Sequence, residues 1–134
     1  MSKLLNSEPV GLDFGLLVLR VVAGGGMLYG HGWTKLMNFS ERMDTFYDPI
    51  GMGSVLALSL VVFAEVVCSA MVMLGLWLRL STVPLVIAMA VAAFMANGDG
   101  PFKEMELALV YLGAFVALFF TGSGRFSIDR ISFS

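Results

Sequence analysis

Residues 54–76 read SVLALSLVVFAEVVCSAMVMLGL, and Glu65 is their one charged side chain. A helix needs about 20 consecutive, mostly apolar residues to cross the hydrocarbon core of a bilayer. This stretch therefore predicts a membrane-spanning helix. Three further apolar runs lie on either side of it, at Phe14–Thr34, Thr82–Asn97 and Met105–Thr121. The four runs together predict an all-α fold, a polytopic membrane four-helix bundle that forms a single membrane domain over residues 1–134.

The composition excludes several classes of protein. The chain has 134 residues, of which 58% are hydrophobic and 13% are charged, whereas an ordinary soluble domain is roughly 25% charged. A soluble domain of this length could not bury so much apolar surface. Disordered chains are poor in apolar residues, and a net charge of −2 argues against nucleic-acid binding. The expected partner is the lipid bilayer.

The connection between the first two spans, Lys35–Gly53, predicts a short amphipathic helix at the membrane interface. Ser40 suits a helix start, and Asp48-Pro49 suits a helix end. The residues between them that recur at helical spacing are Met43, Phe46, Tyr47 and Ile50. An apolar stripe of this kind is typical of a helix that lies in the interface plane.

The distribution of basic residues predicts the orientation of the chain, because four spans place both termini on one side. The basic residues on the side of the termini are Lys3, Arg79, Arg125 and Arg130, and those on the other side are Lys35, Arg42 and Lys103. Four against three is a small positive-inside bias, which favours cytoplasmic termini.

Arg20, Glu65 and Ser69 are the candidates for an intramembrane polar core. A charge inside a span is costly and usually faces a partner or a water-filled cavity. We expect Arg20 to pair with Glu65, because their estimated depths differ by only about 7 Å; the alternative is that Arg20 snorkels to the headgroups. Ser69 lies one turn from Glu65. The pair would form a proton-linked or polar ligand site, or it would only fix helix packing.

His31, Trp33 and Glu106 are a second group of candidates. The end of the first span and the start of the fourth lie on the same membrane side in an antiparallel bundle, which predicts that His31 and Glu106 approach each other. A histidine there can hydrogen-bond a quinone carbonyl or a headgroup, and Trp33 fits an interfacial aromatic belt. The alternative is that His31 is only a hydrated interfacial residue and that Glu106 complements the dipole of its helix.

The remaining motifs favour association over catalysis. Gly26-x-x-x-Gly30 matches the small-residue pattern of close helix contacts, and it predicts a homo-oligomer through the glycine-rich first helix. One cysteine, Cys68, and one histidine give neither a redox cysteine pair nor a protein-only metal site. We therefore expect no metal and no intrinsic cofactor, and whether the chain is an enzyme stays open.

The chain resembles the DoxX family of small bacterial membrane proteins. The segments that carry the resemblance are Leu19-Arg20 with the glycines after it, Gly30–Leu36, Phe63-Ala64-Glu65, Gly75–Leu80, Glu106–Leu109 and Thr121–Asp129. The resemblance implies a four-helix protein of the bacterial inner membrane. Some relatives are described as subunits of a quinol oxidase or of thiosulfate:quinone oxidoreductase.

The resemblance also implies a function. We expect an accessory subunit of a quinone-linked membrane redox system, with quinone as its ligand and redox proteins as its partners. The alternatives are a structural membrane protein that forms homo-oligomers and, third, a small-molecule transporter.

Overall fold

The computed structural model describes residues 4–96 and 100–133, apart from the side chains at positions 104 and 131–133. The helices are α1 (Leu12–Met37), α2 (Phe39–Arg42), α3 (Ser54–Leu74), α4 (Leu78–Ala96), α5 (Phe102–Thr121) and α6 (Ile128–Phe133). The described part of the chain contains no strand, so the predicted all-α fold is confirmed. The four long helices pack side by side, with α1 against α3 and α5, and α4 against α3 and α5.

Among the described residues, three helices are long and apolar enough to cross a membrane, namely α1, α3 and α4. The apolar part of α5, Met105–Thr121, is shorter and lies at the lower limit of about 17 residues for a span. Because α5 packs along α4 and against α1, it completes the predicted four-helix bundle. The last residue of the predicted third span, Asn97, lies outside the described residues.

The bundle is apolar outside and carries charges inside. Arg20 is 0% exposed and Glu65 is 2% exposed. Bulky apolar side chains that are more than half exposed on the outer surface include Val22, Ile87, Val110 and Phe120. Such a surface is stable in a bilayer, where apolar side chains face lipid and polar groups find partners inside the protein. The chain is therefore a multi-pass membrane protein.

Helix α1 continues past the predicted end of the first span. The apolar residues Leu36 and Met37 extend the helix to Asn38, whose side-chain amide donates to the Thr34 carbonyl at 3.1 Å and closes the last turn. The extension places Lys35 in the helix, although the sequence predicted it in the following connection.

The helical part of the connection between α1 and α3 is confined to α2, Phe39–Arg42. Beyond it the chain turns repeatedly, because the Asp48 carboxylate accepts hydrogen bonds from the backbone N–H groups of residues 50–53 at 2.6–3.3 Å. Gly51 and Gly53 have positive φ angles of 80° and 102°, which favour glycine and end any helix. All four apolar residues that predicted the amphipathic helix, Met43, Phe46, Tyr47 and Ile50, thus lie in the loop that follows α2.

The tight turn between α3 and α4 is held by the segment that follows α5. Gly75 ends α3 at a φ of 69°, and the Leu76 N–H donates to the Met71 carbonyl at 2.9 Å, as in a Schellman motif. The Asp129 carboxylate then accepts the N–H groups of Trp77 and residue 78 at 2.6 and 3.0 Å. Asp129 therefore caps the start of α4 from a distant part of the chain.

The glycine-rich part of α1 packs mostly within the chain. A Cβ at Gly32 would lie 2.5 Å from the Glu65 carbonyl oxygen, and one at Gly24 would lie 2.7 Å from a side-chain carbon of α3. At Gly26 it would lie 2.5 Å from a tyrosine hydroxyl of α5, whereas Gly30 has nothing within 4 Å. These glycines therefore join α1 to α3 and α5, and the homo-oligomer stays a prediction.

The close approach at Gly32 predicts a large difference between two alanine substitutions. Gly32→Ala should lower the free energy of unfolding by about 1–3 kcal/mol, because the new methyl group overlaps the backbone of α3. Gly30→Ala is the matched control, since it adds a methyl group to open space and should raise helix stability by up to about 1 kcal/mol. Equal unfolding midpoints of the two variants in detergent micelles would contradict the packing described here.

Candidate functional site

A cavity of about 510 Å³ lies between α3 and α4, below the connection that joins α2 to α3. This volume is within the range of about 300–1,000 Å³ that is usual for small-molecule sites. Its apolar lining comes from the connection (Phe46, Tyr47, Pro49, Met52), from α3 (Ala57, Leu60, Val61, Phe63, Ala64) and from α4 (Pro84, Ile87, Ala88, Val91, Ala92, Ala96). The two charged residues in the lining are Lys35 and Glu65.

The two charges form a buried ion pair. Lys35 Nζ donates to Glu65 Oε1 at 2.8 Å, and the two side chains are 17% and 3% exposed. Because Gly32 has no side chain, α1 lies directly against α3 at Glu65, which brings Lys35 over the carboxylate. The second carboxylate oxygen of Glu65 makes no hydrogen bond to the residues that the structure describes. It remains available to a ligand in the cavity.

The backbone around Glu65 is itself irregular. Phe63–Cys68 form a segment of π-helix within α3, and Leu28–Gly32 form another within α1. The two segments contact each other. Short π-helical segments are rare and are frequent at functional sites, so this irregularity agrees with a site at Glu65.

The cavity opens sideways toward the position of the lipid. Leu60 and Phe63 on α3 and Ile87 on α4 line the cavity, and each is also more than half exposed on the outside of the bundle. The opening therefore lies between the two helices at the level of the hydrocarbon chains. A ligand with a long apolar tail fits such an opening, because the tail can extend into the bilayer.

Asp48 fixes the loop that covers the cavity. Its carboxylate accepts hydrogen bonds from four backbone N–H groups. These bonds hold the pKa of Asp48 below its ordinary value, and the bond from Gly53 has the largest effect. The Ser54 hydroxyl also donates to the Met43 carbonyl at 2.6 Å, which joins the loop to the start of α3. The loop that covers the cavity is thus stabilised by hydrogen bonds to its own backbone groups.

Arg20 lies at the other end of the bundle and does not pair with Glu65. Its Nη1 donates to the Met73 carbonyl at 3.0 Å, and its Nη2 donates to the Phe126 carbonyl. The physical reason is the direction of the side chain, since side chains on a helix incline toward its N-terminus. Arg20 therefore extends toward the end of α3, whereas Glu65 lies half-way along that helix.

Ser69 is fully buried, like Arg20 and Glu65, so all three predicted core residues lie in the interior. They do not form one cluster. Glu65 belongs to the cavity, and Arg20 belongs to the junction of α3 with the C-terminal segment. The Ser69 hydroxyl and Arg20 Nε have no hydrogen-bond partner among the described residues.

The second predicted group is not assembled. The His31 ring stands edge-on to Tyr111, with ring centroids 5.5 Å apart, while Glu106 is exposed and Trp33 is half exposed. None of His31, Trp33 and Glu106 lines the cavity. The structure therefore does not bring these three residues together at the cavity that contains Lys35 and Glu65. The sequence offers one signal that could have found Lys35. It lies one turn after His31 and is followed by the apolar residues Leu36 and Met37, which favour a helix that continues past it.

A family model described as DoxX matches residues 15–98, which is more than half of the chain. The chain belongs to the DoxX family. The matched range contains Lys35, Glu65 and every other residue that lines the cavity, so the candidate site lies wholly in the part of this DoxX protein that defines its family. No curated protein and no solved structure matches the chain significantly.

The hydrogen bonds to Asp48 predict a pH effect on the loop. Because the pKa of Asp48 is lowered in the folded protein, its stabilising contribution is present above the ordinary carboxyl pKa and is lost as the pH falls through the lower one. The NMR amide signals of residues 50–53 should therefore titrate with a midpoint below 3.8. Asp48→Asn should abolish this titration and Asp44→Asn should not; a titration that persists in Asp48→Asn would contradict the assignment.

The buried ion pair predicts strongly non-additive substitutions. Lys35→Met alone should destabilise the fold by about 3–5 kcal/mol, because it leaves the Glu65 carboxylate buried and unpaired. The double variant Lys35→Met/Glu65→Leu should recover most of that loss, since it removes both charges. Unfolding in detergent measures the double-mutant cycle, and additive effects of the two substitutions would exclude direct pairing.

Proposed function

We propose that this DoxX protein binds a membrane quinone in the cavity between α3 and α4, as an accessory subunit of a quinone-linked redox system of the bacterial inner membrane. The observation that carries the proposal is the buried Lys35–Glu65 pair at one wall of an apolar cavity that opens toward the bilayer. A quinone combines a ring bearing carbonyl groups with a long apolar tail. It needs hydrogen-bonding groups at one place and apolar walls elsewhere, which this cavity provides.

The residues of the pair have complementary roles. Lys35 carries three N–H donors, of which one is used on Glu65, so the others can donate to a carbonyl oxygen. The free carboxylate oxygen of Glu65 can accept a hydrogen bond from a ring hydroxyl or take a proton from it. A bound quinone supplies two-electron, two-proton redox chemistry.

The remaining walls orient the ring and keep water away from it. Phe46 and Tyr47 in the covering loop and Phe63 on α3 present aromatic surface to the cavity, and aromatic side chains pack well against a flat ring. Excluding water strengthens the electrostatic interactions of the ion pair with a ligand.

We propose an accessory role because the chain has few of the residues, cysteine and histidine, that usually hold electron-carrying groups in proteins. The chain has one cysteine and one histidine, which do not make an electron-transfer chain, so the electrons would come from a partner protein. The location is part of the proposal and is supported by the family resemblance, while cytoplasmic termini are supported by the four-to-three distribution of basic residues.

The proposal predicts that quinone binding depends on the pair. Lys35→Met should weaken the binding of a radiolabelled short-tailed quinone to the protein in nanodiscs about tenfold or more, because it removes a charged hydrogen-bond donor. Ala88→Phe should abolish binding, because it fills the cavity without altering either charge.

The control is Glu106→Gln, which changes an exposed carboxylate of the second predicted group and should leave binding unchanged. If Glu106→Gln or His31→Gln weakens binding while Lys35→Met and Ala88→Phe do not, the cavity is not the quinone site.

A further inference from the structure

A second cavity, of about 780 Å³, lies at the end of the bundle that carries both termini, opposite the proposed quinone site. It is a groove between the starts of α1 and α4, the last residue of α5 (Thr121) and the segment that follows it. Its charged lining residues are Asp13, Arg79, Asp129 and Arg130. The groove is at the ends of the spanning helices, which is the depth of the lipid headgroups.

Arg79 presents its guanidinium group to this groove. Its Nε donates to the Phe119 carbonyl at 2.9 Å, which anchors the side chain on the end of α5. Nη2 lies beside Gly122, where a Cβ would be only 3.3 Å away. The terminal nitrogens of Arg79 make no hydrogen bond to the part of the chain that the structure describes. A guanidinium held in this way is suited to a phosphate group, which it can bind through two parallel hydrogen bonds.

Neither carboxylate in the groove forms an ion pair with Arg79 among the residues that the structure describes, and both have other hydrogen-bond partners. Asp129 accepts three donors, which are the N–H groups of residues 77 and 78 and the Ser123 hydroxyl. It also interacts electrostatically with the buried Arg20. Asp13 accepts the backbone N–H of Arg125 at 3.0 Å. The hydrogen-bonding capacity of Arg79 is thus left for a ligand.

By formal charge, the termini side of the molecule is more positive than the loop side. With Glu65 left out, because it lies half-way along α3, the sequence has five basic and three acidic residues on the termini side of the membrane centre and three basic and six acidic residues on the loop side. An anion is therefore favoured at the termini side, and a headgroup with its own cation is disfavoured. Leu12, Trp77 and Leu80 line the groove as well, and each is more than half exposed, so apolar surface for acyl chains adjoins the guanidinium.

We propose that this groove binds the phosphate of an anionic phospholipid, with Arg79 as the residue that recognises it. The proposal is independent of quinone binding, since no residue that lines the groove lines the other cavity. A lipid bound there would contact α1, α4 and the segment after α5 together, and it would stabilise the junction of these elements.

The test compares lipid retention by native mass spectrometry on the full chain. The wild-type protein should retain phosphatidylglycerol in preference to phosphatidylcholine, and Arg79→Gln should reduce retention of phosphatidylglycerol about fivefold. Arg42→Gln is the matched control, because it removes an exposed arginine from the opposite end and should leave retention unchanged. Equal losses in the two variants, or no preference in the wild type, would overturn the proposal.

Two further measurements locate the lipid and identify the source of the phosphate. A photoactivatable phosphatidylglycerol should label wild-type residues 77–80 or 121–130, and labelling confined to other residues would overturn the proposal without the use of a variant. Addition of sn-glycerol 3-phosphate should not displace the lipid; displacement at equal concentration would show a site for a free phosphate ester.

Discussion

The structure depends on the constraint that a charge in the middle of α3 must be paired. Glu65 is nearly inaccessible to solvent, and an isolated carboxylate there would cost several kcal/mol. Lys35 can reach it only because α1 continues to Met37 and because Gly32 lets α1 lie against α3. The same continuation makes the chain return above the pair to begin α3. The pairing of Glu65 thus depends on the length of α1 and on its close packing against α3.

Arg20 is also a buried charge that needs partners, and its partners are backbone carbonyl groups. Backbone carbonyls at the end of a helix have no intrahelical donor. Arg20 donates to one of them, at Met73, and to the carbonyl of Phe126 in the segment between α5 and α6. The arginine therefore joins α3 to the segment after α5, and Asp129 joins that segment to α4. Because the two buried charges use separate partners, the bundle has two separate polar centres, one at the middle of α3 and one where α3 meets the segment after α5.

The sequence predicted the helices well and the site only in part. Long apolar runs fix the existence of spans, and the cost of a buried charge singles out Arg20 and Glu65 without a structure. The sequence alone does not show which cation pairs with Glu65. That depends on where α1 ends and on how closely Gly32 lets α1 approach α3. The choice of His31 and Glu106 assumed that residues on one membrane side meet. The structure instead places His31 against Tyr111, about one helical turn deeper along α5 than Glu106.

The range of the family match separates the two ends of the molecule. Residues 15–98 include every residue of the cavity at Lys35 and Glu65, but the groove at Arg79 takes Asp13, Thr121 and Asp129 from outside that range. The cavity is therefore built from the part of the chain that makes it a DoxX protein. The groove, in contrast, needs the segment after α5 to fold back on the turn between α3 and α4. The ligand proposed for the cavity would contact only residues of the matched range, whereas the lipid proposed for the groove would also depend on the contacts that Asp129 makes outside that range.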